Sequence, residues 1–404
     1  MKAKTILIVL IVTGLTAYYI YTPVPDPVQQ KWKVMLVNAF YRSVQNVAES
    51  AEMFHLKHYM HVMQWVTDAQ YVPAITDENI TVTDTIFSGV PVRVYVLKRK
   101  TKELRRAIIY IHGGGFSTAS AGMKGYDILS RTTATALDAV IVSINYRLAP
   151  EHRFPAQFED AYAVAKYFLQ DQILHQYSVD PNRIGVSGDS AGGNLATAVA
   201  QEIQADKEVT IHLKVQVLIY PALQALDFNT PSYQQNRRQI MLTKDLAVRY
   251  WSEYFATDKD LVRAMSSNLH VPSSFHEMFT FLNWSILLPE IFKKNYIYAQ
   301  PKSGNPAFIK KYPGLLDSRA APLLANDEKL RGLPKAYIIT CEYDVVQNDG
   351  IMYATRLKAA GVQVTHVNYE DGFHGLITFN SWPIEFSIYF KVFADYINWL
   401  DTNL

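Results

Sequence analysis

Apolar and polar positions along the chain follow two different periods. From about Gln29 to Pro73, Val34, Leu36, Val37 and Phe40 recur at helical spacing, which predicts helices over most of that segment. The runs 80–87 and 90–97 flank Ser88-Gly89 and predict a hairpin. Six further apolar runs follow at 107–112, 139–145, 182–187, 215–220, 335–341 and 364–369, with helical patterns between them. Strands alternating with helices predict an α/β fold whose mostly parallel sheet is covered on both faces. With the hairpin, eight strands are expected. Between Pro221 and about Lys335 the alternation stops. That insert holds an amphipathic stretch from Asp245 to Phe255 and a dense apolar run from Met278 to Leu288. Insert and N-terminal helices together are expected to form a cap. The 278–288 run would suit a membrane surface, but buried cap core is the simpler expectation.

The first residues carry a third pattern. Thr5 through Tyr21 is an uncharged, mainly apolar run, preceded by Lys2 and Lys4, and the next basic residue is Lys31. A helix of that length rises about 26 Å, close to the roughly 27 Å hydrocarbon thickness of the endoplasmic reticulum membrane. The charge asymmetry predicts a cytosolic N-terminus and a luminal remainder. A cleaved signal peptide is the alternative, but it wants small residues where Tyr18, Tyr19 and Tyr21 stand. Two sequons, at Asn79 and Asn283, are expected glycosylation sites in a lumen. The expected organisation is a cytosolic N-terminus (1–4), a transmembrane signal-anchor (5–21), a linker with N-terminal cap helices (22–78), a first core part (79–220), a cap insertion (221–334) and a second core part (335–404).

Two motifs bring in chemistry. His112-Gly113-Gly114-Gly115 ends the third strand, and Gly188-Asp189-Ser190-Ala191-Gly192 ends the fifth and opens a helical segment. Strand, tight glycine turn, helix is the context of a nucleophile elbow. A serine hydroxyl needs a base within hydrogen-bond reach and N–H donors aimed at the oxyanion it creates. Gly113 and Gly114, having no side chains, and Ala191, at the start of a helix, are the expected oxyanion donors. The base must come from a loop at a strand end. Of His270, His366 and His374, only His374 stands in a glycine-bracketed loop after a strand (Glu370-Asp371-Gly372-Phe373-His374-Gly375). Asp344, at the end of the strongest late strand, is the expected acid that orients it, with Asp349 the rival and Asp371 a weaker one.

These motifs, with Asn145-Tyr146-Arg147-Leu148-Ala149-Pro150-Glu151 between them, resemble the hormone-sensitive-lipase-like branch of the α/β-hydrolases over nearly the whole chain. The resemblance implies the α/β-hydrolase fold with a helical cap. It implies a hydrolase for carboxylic esters and arylamides acting through Ser190, Asp344 and His374, with no cofactor. Neutral lipid esters, such as glycerides or cholesteryl esters, are the alternative substrates. A small-ligand receptor is the alternative of another class, because receptors on this scaffold lose the catalytic histidine; His374 speaks against that here. The resemblance also implies a cysteine just beyond the glycine run. This chain has Ser117 there, so no bridge to its single cysteine, Cys341, forms.

Composition excludes other classes. A net charge of +2 over 404 residues, with no basic run interleaved with aromatics, argues against nucleic acid as a partner. His55, His58 and His61 drift across a helix surface instead of converging, so surface histidines are expected there and no metal. Tyr220, Leu223, Tyr343, Val346, Phe373 and Leu376 adjoin the catalytic loops and are most simply core.

Overall fold

In the computed structural model, which describes residues 2–99, 103–299 and 303–404 apart from the side chains of 2–4, 7 and 276, eight strands form one sheet. They are β1 (Ile80–Phe87), β2 (Val90–Leu97), β3 (Arg105–Ile111), β4 (Ala139–Ile144), β5 (Val179–Asp189), β6 (Val215–Ile219), β7 (Lys335–Tyr343) and β8 (Val364–Phe373). Their order is β1-β2-β4-β3-β5-β6-β7-β8. The pairs β1/β2 and β2/β4 are antiparallel, and all others are parallel. Ser88 and Gly89 both have positive φ, 49° and 83°, the geometry a two-residue hairpin turn requires.

Burial explains the strand patterns. β4 is buried at every position because helices cover both faces, whereas β1 at the edge keeps Asp84 and Thr83 exposed. In β3, Ala107, Ile109 and Ile111 join one core with the helix Ala191–Ala205, while Ile108 and Tyr110 join the other, where Val392, Tyr396 and Leu400 of the helix Ser387–Asn403 pack. The alternation is the pleat itself.

Chain order reverses at β3, which is flanked by β4 on one side and β5 on the other. Such a switch point leaves a crevice at the strands' C-terminal ends. The 112–115 turn follows β3, Ser190 follows β5, and Asp344 and His374 follow β7 and β8. The crevice is roofed by two pieces from distant parts of the chain. One is the pair of helices Lys31–Met53 and Tyr59–Asp68; the other is the insert after β6, whose longest helix is Lys244–Phe255. In the insert, Phe279, Leu282, Trp284 and Leu288 are buried, so the 278–288 run is cap core. The three histidines do not share one helix face. The first helix ends at Met53, His55 sits in the break with φ 56°, and His58 caps the second helix by accepting from the Met60 N–H. Among the described residues no cluster of His, Cys, Asp and Glu is arranged to hold a metal ion.

At the N-terminus, Lys2–Ile20 is helical, and its Ile6, Ile8, Leu10, Ile11 and Leu15 are exposed. Among the described residues no helix is long and apolar enough to cross a membrane, so the span expected of residues 5–21 is not shown. Met1, and the side chains of the other residues expected in the cytosol, lie outside the described residues.

Candidate active site

The elbow after β5 is built by close approach. Ser190 has φ 54° and ψ −119°, a conformation that a non-glycine residue holds only when its surroundings enforce it. Here the Ser190 N–H donates to the Ile219 carbonyl at 2.9 Å, and its own carbonyl accepts from the N–H groups of Asn194 and Ala222. A Cβ on Gly192 would stand 2.0 Å from the Ile111 carbonyl oxygen, so only glycine lets the elbow press against the end of β3.

The expected trio comes together. His374 Nε2 lies 2.8 Å from Ser190 Oγ, and its Nδ1 lies 2.7 Å from Asp344 Oδ2. Asp344 is fully buried, and its other oxygen accepts from the Val346 N–H at 3.0 Å. Because a carboxylate only accepts, Nδ1 carries the proton and Nε2 is free to accept from the serine. The Tyr220 ring packs 4.8 Å from the imidazole. Asp349 is not part of this chain of bonds. It accepts from the Leu223 N–H and the Gln224 amide, and burial raises its carboxyl to about 8. His366 bonds Thr340 within the sheet, and His270 donates to the Ala225 carbonyl.

The expected oxyanion donors need one correction. The Gly113 N–H points at Asp189 Oδ1, 2.9 Å away, and at the Tyr126 hydroxyl, 3.0 Å away, so it is committed beneath the site. Gly114, Gly115 and Ala191 line the cavity beside Ser190 instead, and their N–H groups donate no hydrogen bond among the described residues. Among the described residues these three N–H groups, and not that of Gly113, stand unbonded beside Ser190. Gly115, with φ 61°, also meets the roof: a Cβ there would stand 2.2 Å from the Tyr250 ring. His112 shapes the turn. Burial lowers its pKa to about 4, so it is neutral; its Nδ1–H donates to the Gly113 carbonyl at 2.7 Å, and its ring stacks on Tyr146 at 4.3 Å.

Above the serine lies a cavity of about 160 Å³. Its floor is Gly114, Gly115, Asp189, Ser190, Ala191, Ala222, Val346 and His374; its roof includes Tyr41, Met63, Thr67, Leu246, Ala247, Tyr250 and Trp251. The two roof pieces are joined by Arg249, which donates to Glu52 at 2.6 Å and to Glu253 at 2.8 Å and lies over the Tyr59 ring. His58 approaches Glu253 within 3.6 Å, and His61 bonds Glu151. Of the residues adjoining the loops, Val346 lines the cavity and Tyr220 contacts the imidazole. Tyr110 and Tyr126, which hold Asp189, carried no signal in the sequence, nor did the roof residues individually.

The pattern of the α/β-hydrolase fold matches residues 108–282 and 291–378. An arylacetamide deacetylase from Oryctolagus cuniculus is 53% identical over 99% of this chain and 100% of its own length. The chain belongs to this α/β-hydrolase family. A neutral cholesterol ester hydrolase 1 from Bos taurus is 48% identical, covering 97% of each chain. Among solved structures, a thermophilic carboxylesterase cloned from a metagenomic library is 26% identical with a TM-score of 0.60, covering 90% of this chain and 96% of its own. The protein is a carboxylic ester hydrolase. In this esterase the glycine turn, the serine elbow and the late histidine loop all stand at the switch-point crevice.

Proposed function

We propose that this esterase cleaves compact esters and arylamides through an acyl-enzyme on Ser190. The observation that carries the reading is the imidazole of His374 bridging Ser190 Oγ and Asp344 Oδ2 at 2.8 and 2.7 Å. Ser190 attacks the carbonyl as its proton passes to His374 Nε2, and Asp344 stabilises the imidazolium. The oxygen that gains charge is met by the N–H groups of Gly114, Gly115 and Ala191. His374 then gives the proton to the departing alcohol or amine, and water, activated by the same imidazole, hydrolyses the acyl-enzyme. No step calls for a metal or cofactor. The cavity supports compact substrates: about 160 Å³ is close to the engineered cavity of about 150 Å³ that takes benzene.

Hydrolysis of phenyl acetate tests the reading, wild type beside Ser190→Ala. The expected loss is roughly 10⁴- to 10⁶-fold in kcat with folding unchanged. Equal turnover in the two proteins would refute it.

Membrane anchoring and a luminal catalytic domain belong to the same proposal. The exposed apolar side chains of the helix Lys2–Ile20 support an anchor. Asn79 supports luminal exposure, being open to solvent in the turn before β1. Asn283 is the less accessible of the two, being half-buried between the buried Leu282 and Trp284. A glycosidase-sensitive mass shift, lost in Asn79→Gln and Asn283→Gln, and retention in carbonate-washed membranes are expected. An unshifted, carbonate-extracted protein would overturn the placement.

A further inference from the structure

Asp189 is a carboxylate with 2% of its surface exposed, directly before Ser190 in the chain and yet outside the proton path. Its Oδ1 accepts from the Gly113 N–H at 2.9 Å and the Tyr110 hydroxyl at 3.0 Å, and its Oδ2 accepts from the Tyr126 hydroxyl at 3.0 Å. The three donors come from the 112–115 turn, from β3 and from the helix Lys124–Leu137. Burying a carboxylate is costly unless hydrogen bonds offset the lost hydration; burial raises this one to about 6, against the lowering effect of its three donors. Bonds to an ionised acceptor are short and strong, which suits them to fixing a geometry.

Of three peptide planes that set the N–H directions in the turn, the carboxylate holds the first, and neighbours of the turn hold the other two. In a trans peptide, C=O and N–H point opposite ways. The His112 carbonyl accepts from the Tyr146 hydroxyl at 2.9 Å, so the Gly113 N–H faces the other way, into Asp189. The Gly113 carbonyl accepts from His112 Nδ1 and from Tyr146, which turns the Gly114 N–H away from them. The Gly114 carbonyl accepts from the N–H groups of Ser117 and Thr118 and from the Thr118 hydroxyl, which turns the Gly115 N–H away in the same manner. Asp189 is the only one of these partners that lies on the serine elbow. A Cβ on Gly113 would stand 2.6 Å from Asp189 Oδ2, so turn and elbow are in close contact at that point.

We propose that Asp189 is a positioning residue, whose carboxylate ties the 112–115 turn to the serine elbow and so aims the Gly114 and Gly115 N–H groups at the oxygen of the carbonyl that Ser190 attacks. This rests on the reading of Ser190 as nucleophile. Asp189 itself touches neither substrate nor the moving proton.

An aryl trifluoromethyl ketone tests it, because its adduct with Ser190 places an oxyanion where the turn would meet it. The inhibition constant, kcat and KM for phenyl acetate, and Tm are measured for wild type, Asp189→Ala and Tyr110→Phe. With Asp189→Ala, ketone affinity and kcat are each expected to fall roughly 100-fold, by analogy with loss of an oxyanion donor, while KM stays within about threefold. Tyr110→Phe, which removes a hydroxyl bonded to the carboxylate and not to the turn, is expected to lose roughly tenfold in both. If Asp189→Ala does not fold, the Tyr110→Phe result decides. Unchanged ketone affinity in a folded variant would overturn the proposal, even if Tm fell, because lost stability alone does not alter oxyanion recognition. Failure of the wild type itself to bind the ketone would instead refute the serine reading, and the positioning role with it.

Discussion

The floor and the roof of the cavity are held by different physics. The floor is a set of strand-end loops fixed by short, fully buried hydrogen bonds: Asp344 to His374, Asp189 to Gly113, Tyr146 to the glycine turn. The roof is apolar packing around Trp251, Tyr254 and Phe255, joined across its two pieces by the partly buried ion pair of Arg249 with Glu52. A floor of this kind tolerates little displacement, since each donor direction depends on a partner in another loop. A roof of packed rings and ion pairs sets what fits and leaves the chemistry alone. Changes in the floor should therefore abolish turnover, and changes in the roof should only redirect it.

The largest effect should come from the floor. Asp344→Asn keeps the shape but disfavours the tautomer with the proton on Nδ1, and is expected to cost roughly 10⁴-fold in kcat at unchanged fold, read by steady-state kinetics. In the roof, Trp284, 2% exposed, is a packing residue; Trp284→Ala should lower stability by about 3–5 kcal/mol in denaturant unfolding. Next comes a pH effect on the roof histidine His270, whose burial lowers its pKa from 6.5 to about 4. Its folded state resists protonation, so its contribution to stability is full above pH 6.5 and is lost as pH falls toward 4. The stability difference between wild type and His270→Gln should therefore shift against the wild type by on the order of 3 kcal/mol between pH 7.5 and 4, a shift absent if His270 stays accessible to protons. Smaller still, Tyr250→Ala removes the ring that packs on Gly115. It should raise kcat/KM for a hexanoyl relative to an acetyl aryl ester by roughly tenfold, with acetate turnover little changed. The smallest is Ile286→Asp at a position 75% exposed, expected to alter stability by less than about 0.5 kcal/mol. A large loss there would mean that this face of the cap is covered.

The same division governs what the sequence made legible. The eight strands and the order of Ser190, Asp344 and His374 follow from local signals: apolar runs, glycine turns and loops at strand ends. The donor assignment at Gly113 failed because N–H direction is set by peptide-plane orientation, which Tyr126, Tyr146 and Asp189 determine from 13, 33 and 76 residues away. No local period encodes that. The roof was legible as a cap but not in detail, because its joint, Arg249 to Glu52, links residues 197 positions apart. The expected three-histidine helix face failed for a local reason: the helix breaks after Met53 and His58 becomes a cap.

Ser190, activated by His374, is proposed as the nucleophile, and an active-site-directed aryl phosphonate followed by peptide mass spectrometry tests this. One adduct per chain is expected, on the peptide bearing Ser190, forming in step with loss of esterase activity and slowed by orders of magnitude in His374→Ala. An adduct on a different residue that tracks the loss of activity, or full activity in protein labelled at Ser190, would contradict it.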